Sequence, residues 1–159
     1  MQFELIQMED LSGDAAKIYS VILEGDSLSL LEHFVLDNPE YVMDIRTILD
    51  KIRFMGQANG CKAHFFKDKE GRPGDGMVAL RYKQMRLYCL RYDNACVFIG
   101  PGGYKPPGIA AYQEDEALNQ AAQLMKRICA SINKAIVEKD LIIFPDGSVE
   151  MSDYINLEI

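Results

Sequence analysis

The chain has 159 residues, of which 48% are apolar and 26% charged, and its formal net charge is −7. That length suits one domain, residues 1–159, built around one hydrophobic core, and no apolar run approaches the roughly 20 residues of a membrane-spanning helix. The opening MQFELIQMED carries neither a basic segment nor a long apolar stretch, which argues against a secretory signal and for the cytoplasm.

Gln2 to Met8 alternates weakly and reads as a short strand. Ser12-Gly13-Asp14 offers an N-cap before AAKIYSVILEG, so a helix is expected from about Ala15 to Leu23, broken at Gly25-Asp26-Ser27. A second short helix runs through LSLLEHFVL. Asp37-Asn38 then caps a third helix, with Pro39 in the first turn, where its missing N–H costs nothing. Val42, Ile45, Ile48, Leu49, Ile52 and Met55 form an apolar stripe on it that ends at Gly56. CKAHFF reads as a strand and KDKEGRPGDG as an exposed loop.

MVALRY, RLYCLRY and ACVFIG follow as three closely spaced strands, an antiparallel meander that PGGYKPPG should end because proline cannot continue a central strand. From Glu114 to about Val137 the apolar positions trace a long amphipathic helix that should pack across the sheet. LIIF, the turn Pro145-Asp146-Gly147-Ser148 and VEMS suggest a closing hairpin. The expected class is therefore α+β: N-terminal helices, a central antiparallel meander and a long C-terminal helix on the sheet.

Cys61, Cys89, Cys96 and Cys129 lack both C-x-x-C spacing and the density of a disulfide scaffold, so reduced, buried thiols are expected. With a two-residue turn at Asp93-Asn94, Cys89 and Cys96 would be diagonal neighbours about 7 to 8 Å apart, beyond ordinary disulfide reach. Cys61 and His64 make a lone C-x-x-H without a second ligand pair, so neither a metal site nor a cofactor is expected.

Charge is distributed unevenly. Residues 1–50 hold 2 Lys/Arg against 11 Asp/Glu, residues 51–105 hold 11 against 4, and residues 106–159 hold 4 against 9. Acidic helices neutralising a basic sheet, and a basic sheet that binds an anion, both fit these counts. A two-residue loop at Gln84-Met85 would pair Lys83 with Arg86, Arg81 with Tyr88 and Leu80 with Cys89. Alternation then puts Val78, Leu80, Tyr82, Leu87 and Cys89 on a core face, and Arg81, Lys83, Arg86 and Tyr88 on a cationic face. Like charges facing across strands invite an anion, either internal carboxylates or a phosphate. Lys105, after the Gly-Gly turn, and His64, the histidine nearest the basic region, are the further candidates. GPGGYKPPG lacks the G-x-x-x-x-G-K-[ST] pattern of a phosphate loop and reads first as a turn.

The run ALRYKQMRLYCLRYDNACVFIGPGGYK, with Leu80-Arg81, Arg86-Leu87-Tyr88, Val97-Phe98-Ile99 and Lys105, resembles the core of the RelE/ParE toxin superfamily, in its HigB-like, phage-derived branch. The resemblance covers about residues 40–105, and residues 109–159 form a C-terminal extension. It implies a toxin of a toxin-antitoxin pair, whose ribonuclease members cut mRNA, often on the ribosome, without a metal. In this chain Arg81 and Arg86 would hold the scissile phosphate while the RNA 2′-hydroxyl attacks. Lys83 or His64 would serve as base, Tyr88 would orient or stack on a nucleobase, and Lys105 and His64 would contact the RNA. An antitoxin protein, mRNA and the ribosome are the implied partners. A noncatalytic module whose basic sheet meets an acidic protein is the alternative, and a small-molecule enzyme using the glycine-rich loop, which needs a concave pocket beside Tyr104 and Lys105, ranks third.

Overall fold

The computed structural model describes residues 1–67, 76–151 and 155–156. Strands β1 (Gln2–Gln7) and β2 (Lys17–Leu23) are followed by helices α1 (Leu30–Leu36) and α2 (Val42–Phe54). Strands β3 (Met77–Tyr82), β4 (Met85–Tyr92) and β5 (Cys96–Tyr104) lead to the long helix α3 (Glu116–Val137). The chain closes with β6 (Leu141–Ile143), β7 (Val149–Met151) and β8 (Ile155–Asn156). The α+β class, the β3-β4-β5 meander, the α2 and α3 helices and the β6-β7 hairpin agree with the sequence reading. Most of the expected KDKEGRPGDG loop, residues 68–75, lies outside the described residues.

The sheet itself is larger than a meander and mixed. Its six strands run in the order β3-β4-β5-β2-β1-β8, and β2 lies parallel to β5, with Lys17 opposite Cys96 and Ser20 opposite Ile99. Helices cover both faces. Leu31 and Phe34 of α1 and Ile45, Ile48 and Ile52 of α2 meet Ile18, Leu80, Leu87, Val97 and Ile99 on one side. Leu118, Ala122, Met125, Ile128 and Ile132 of α3 meet Tyr19, Val21, Tyr88, Leu90 and Phe98 on the other. The single core expected from composition is thus two apolar layers with the sheet between them.

This double burial explains the largest correction. Within residues 15–23, expected as helix, Lys17–Leu23 forms β2 because KIYSVIL lies between β1 and β5 and meets apolar side chains on both faces. A strand buried on both sides loses the polar alternation that would mark it, and its apolar run is then easily taken for a helix. CKAHFF is likewise not a strand. Ala63–Phe65 is one 3-10 turn, and strand-like pairing is confined to a bridge between Lys67 and Ala79.

Ser20 holds the middle of the fold. Its buried hydroxyl donates to the Ile99 carbonyl at 2.8 Å and accepts from the Leu31 N–H at 3.2 Å, joining β2, β5 and the first turn of α1. Ser29 caps the same turn through a reciprocal pair with Glu32.

Proline does not end β5. The parallel pairing with β2 stops at Ile99, so beyond it the strand pairs with β4 alone, and its register with β4 shifts between Leu87 and Cys89. Pro101 falls opposite that bulge, where a missing N–H is tolerated, and the strand continues to Tyr104. The glycines there serve close packing: a Cβ on Gly102 would lie 2.1 Å from the Arg86 carbonyl oxygen. The β4–β5 turn also differs from expectation. Tyr92 pairs with Cys96, leaving three residues in the loop rather than two, so Cys96 joins the α3 layer while Cys89 joins the opposite one. All four cysteines are buried and none is in a disulfide.

Two outcomes follow from this packing. Ser20→Ala removes a buried hydroxyl with two partners and should cost about 1–3 kcal/mol in urea unfolding. Burial pushes the Cys61 thiol up to about 11 and raises Cys89 and Cys96 as well. A thiol that stays protonated in the folded state while its unfolded counterpart ionises contributes stability below the ordinary thiol range and loses it as pH rises through the folded value. The urea midpoint should therefore fall steadily above pH 9, and less steeply in Cys61→Ala.

Candidate nucleic-acid interface

The β3–β4 hairpin turns through Lys83 and Gln84, with Tyr82 opposite Met85, Arg81 opposite Arg86 and Leu80 opposite Leu87. This corrects the expected register, in which Gln84-Met85 formed the loop and Arg81 faced Tyr88. The displacement along β4 is two residues, so the strand side chains keep their expected faces, but Lys83, expected beside Arg81 and Arg86, lies in the turn and reaches to Tyr82 and Asp44 on the α2 side. Lys83 carries the turn with φ of 53°, a left-handed conformation uncommon for a side chain of its kind.

The face carrying Arg81, Arg86 and Tyr88 is not an open cationic plane, because α3 covers most of it. Tyr88 is fully buried and meets the Tyr112 ring edge-on, with centroids 6.0 Å apart, so it cannot stack on a nucleobase from this position. Arg86 is 7% exposed, and its Nη1 donates to the carbonyls of Lys83 at 2.8 Å and Met85 at 3.0 Å. A guanidinium on turn carbonyls fixes the hairpin and tempers the repulsion from Arg81 across the strands. Arg81 is exposed.

The open chemistry gathers at the hairpin end, on the α2 side. Tyr82, Met85 and Tyr104 form a row across β3, β4 and β5, which sets the two tyrosines two strand spacings apart, roughly 10 Å. Lys51 of α2 and Lys83 place their ammonium groups 5.2 and 5.5 Å from the Tyr82 ring centroid, within cation–π range. Lys83 also lies 3.7 Å from Asp44 of α2. Tyr41 stacks on Tyr104 at 4.7 Å and 10°. Partial desolvation, with the neighbouring Tyr104, raises the Tyr41 phenol above its ordinary range. Lys105 is built into the same end: its N–H donates to the Gln84 carbonyl at 2.7 Å, the Gln84 amide donates to its carbonyl at 2.8 Å, and its Nζ reaches the Ala110 carbonyl at 3.3 Å.

The structure thus brings Arg81, Lys83, Arg86 and Lys105 to one end of the sheet, with Arg86 in a structural role, and leaves Tyr88 in the core. His64 stands apart on the 3-10 turn. Its ring lies 4.3 Å from that of Phe65, and the segment before it is tied to the opposite turn by Cys61 N–H on the Asn94 carbonyl at 2.8 Å. His33 is occupied structurally, with Nε2 2.6 Å from an Asp26 carboxylate oxygen. No group of metal-ligating side chains occurs among the described residues, and no helix there is long and apolar enough to cross a membrane.

Sequence reasoning missed Lys51, Tyr41 and Tyr82 as site residues and named Tyr104 only for the third-ranked reading. Two of the four sit beside basic residues, in Tyr82-Lys83 and Tyr104-Lys105, an aromatic-basic adjacency that is a usable signal. Lys51 and Tyr41 come from α2 and the turn before it, and only the tertiary packing brings them here. Comparison with protein-family models, curated proteins and solved structures finds no significant match.

The two opposed arginines should separate by stability. Arg86→Gln should lower the unfolding free energy by about 1.5–3 kcal/mol, the range for hydrogen bonds to a charged donor, whereas the exposed Arg81→Gln should stay within about 0.5 kcal/mol of the parent. Paired urea titrations measure both.

Proposed function

We propose that the protein is a RelE-like, toxin-type protein of the cytoplasm that engages RNA at the β3–β4 hairpin end and is held in check by an antitoxin protein. The observation that carries the reading is the arrangement around Tyr82: a half-buried ring flanked by Lys51 and Lys83, in line with the Tyr41–Tyr104 stack. Single-stranded RNA is held by cations along its backbone and aromatic rings against its bases, and this end of the sheet offers both. A local cluster of that kind is compatible with a net charge of −7, because counterion release depends on the phosphates neutralised locally.

In this reading Arg81 meets the scissile phosphate and stabilises the charge that accumulates as the 2′-hydroxyl attacks. Lys83 and Lys105 hold flanking phosphates, and Arg86 sets the hairpin geometry. A second reading, a noncatalytic protein-binding module of RelE-like fold, draws support from the burial of Arg86 and Tyr88 and from the contact of Lys83 with Asp44.

The test is induction of the parent beside Arg81→Ala/Lys83→Gly, with growth and RNA integrity as readouts and circular dichroism as the folding check. Glycine at position 83 removes the charge and accepts the left-handed backbone. The reading expects growth arrest and RNA cleavage from the parent, both lost in the folded variant. If both proteins fold and neither arrests growth nor cuts RNA, the nuclease reading is abandoned for the protein-binding one.

A further inference from the structure

On the far side of α2 from Tyr82 the surface opens into a groove of about 750 Å³, between the end of β1, α1 and α2. Its floor is aliphatic, with Met8, Leu31, Val35 and Leu49 among the lining side chains. Leu36 and Ile6 stand at its edge 62% and 38% exposed, in a region that also lacks a covering element among the described residues. A volume of this size lies within the roughly 300–1,000 Å³ of ligand-binding clefts. Exposed apolar surface with a polar rim marks an interaction site.

The rim determines what fits. Glu9 and Asp10, in the turn after β1, and Glu32 on α1 border the groove. Among the described lining residues Arg53 is the one cation, and it lies 3.0 Å from Asp50 of its own helix, which offsets part of its charge. The groove therefore presents an apolar floor within a negative field, set in a segment with 2 Lys/Arg against 11 Asp/Glu over residues 1–50.

We infer that this groove receives an amphipathic helix of a partner protein, with aliphatic side chains turned inward and lysine or arginine along its flanks. Such a helix matches both features, burying its apolar stripe on the floor while its basic flanks meet the three carboxylates. A second copy of this chain fits poorly, because a two-fold interface would set the same carboxylates against each other. The site is separate from the hairpin end and does not depend on RNA engagement there.

The probe is a synthetic Leu/Lys amphipathic helical peptide, with its Leu/Glu counterpart as control, followed by fluorescence anisotropy and amide chemical shifts on the full chain. The Leu/Lys peptide should bind at least about tenfold more tightly than the Leu/Glu peptide and shift amides of Met8, Leu31, Val35 and Leu36. Leu36→Lys and Glu9→Lys/Asp10→Lys should each weaken it by about tenfold or more. Glu138→Lys/Asp140→Lys, beyond α3, should leave it unchanged. Equal weakening by the distant pair would mean nonspecific attraction and overturn the inference, as would shifts confined to other surfaces. Self-association of the parent abolished by Leu36→Lys would assign the groove to a second copy and overturn it too.

Discussion

The structure depends on the burial of the β2–β5 pair on both faces. Two parallel strands in the middle of the sheet must satisfy their backbone groups with each other and with their outer neighbours, because helices on either side exclude water. Ser20 brings a fully buried hydroxyl into that pair. It is tolerable because both of its hydrogen-bonding roles are used, toward Ile99 and Leu31. Once that pair is fixed, α1 is anchored over it, α2 follows across β3 and β4, and α3 closes the opposite face.

Double coverage also dictates where charge can go. A guanidinium in the interior of such a sheet would be prohibitively desolvated, so cations are driven to strand ends and turns. Arg86 is the intermediate case: it remains largely buried, yet lies close enough to the hairpin for two turn carbonyls to accept from its Nη1. Arg91, near the other turn, follows the same rule, with Nε 2.5 Å from the Cys61 carbonyl and Nη2 2.7 Å from Asn94 Oδ1. Among the described residues the sheet's own arginines, Arg81, Arg86 and Arg91, thus lie toward strand ends and turns, and Tyr82 and Tyr104 share the hairpin end.

What could be read in the sequence divides along the same line. The stripes of α2 and α3 were legible because each helix buries one side and exposes the other, which preserves the 3.6-residue period. Ile45, Ile48 and Ile52 are buried, whereas Val42, assigned to the same stripe, is 50% exposed because it opens the helix before the packed turn. The faces of β3 and β4 were legible for a subtler reason: burial fixes parity, so an error of two residues in register left the strand side chains on their correct faces, and only Lys83, in the turn itself, moved to the α2 side. The strand β2 was illegible because its environment removes the alternation. His64 illustrates the converse limit, since its nearness to the basic residues in sequence did not survive a segment anchored at the far turn.

The hairpin end owes its shape to the stretch that looked most like a terminator. Because β5 passes its bulge and continues to Tyr104, Gln84 can exchange hydrogen bonds with the main chain of Lys105 on both sides of its own turn, and Tyr104 comes into line with Tyr82. Had the strand stopped at Gly100, Tyr41 would have no stacking partner and Lys105 no fixed backbone. Helix α2 then couples two surfaces. Lys51 and Asp44 face the hairpin end, while Leu49 and Arg53 line the acidic groove. A helix that contributes to both places a cationic-aromatic surface and an anionic-apolar one on opposite sides of a single packed element. The two surfaces share the helix but take different side chains from it: Asp44 and Lys51 for one, Leu49 and Arg53 for the other.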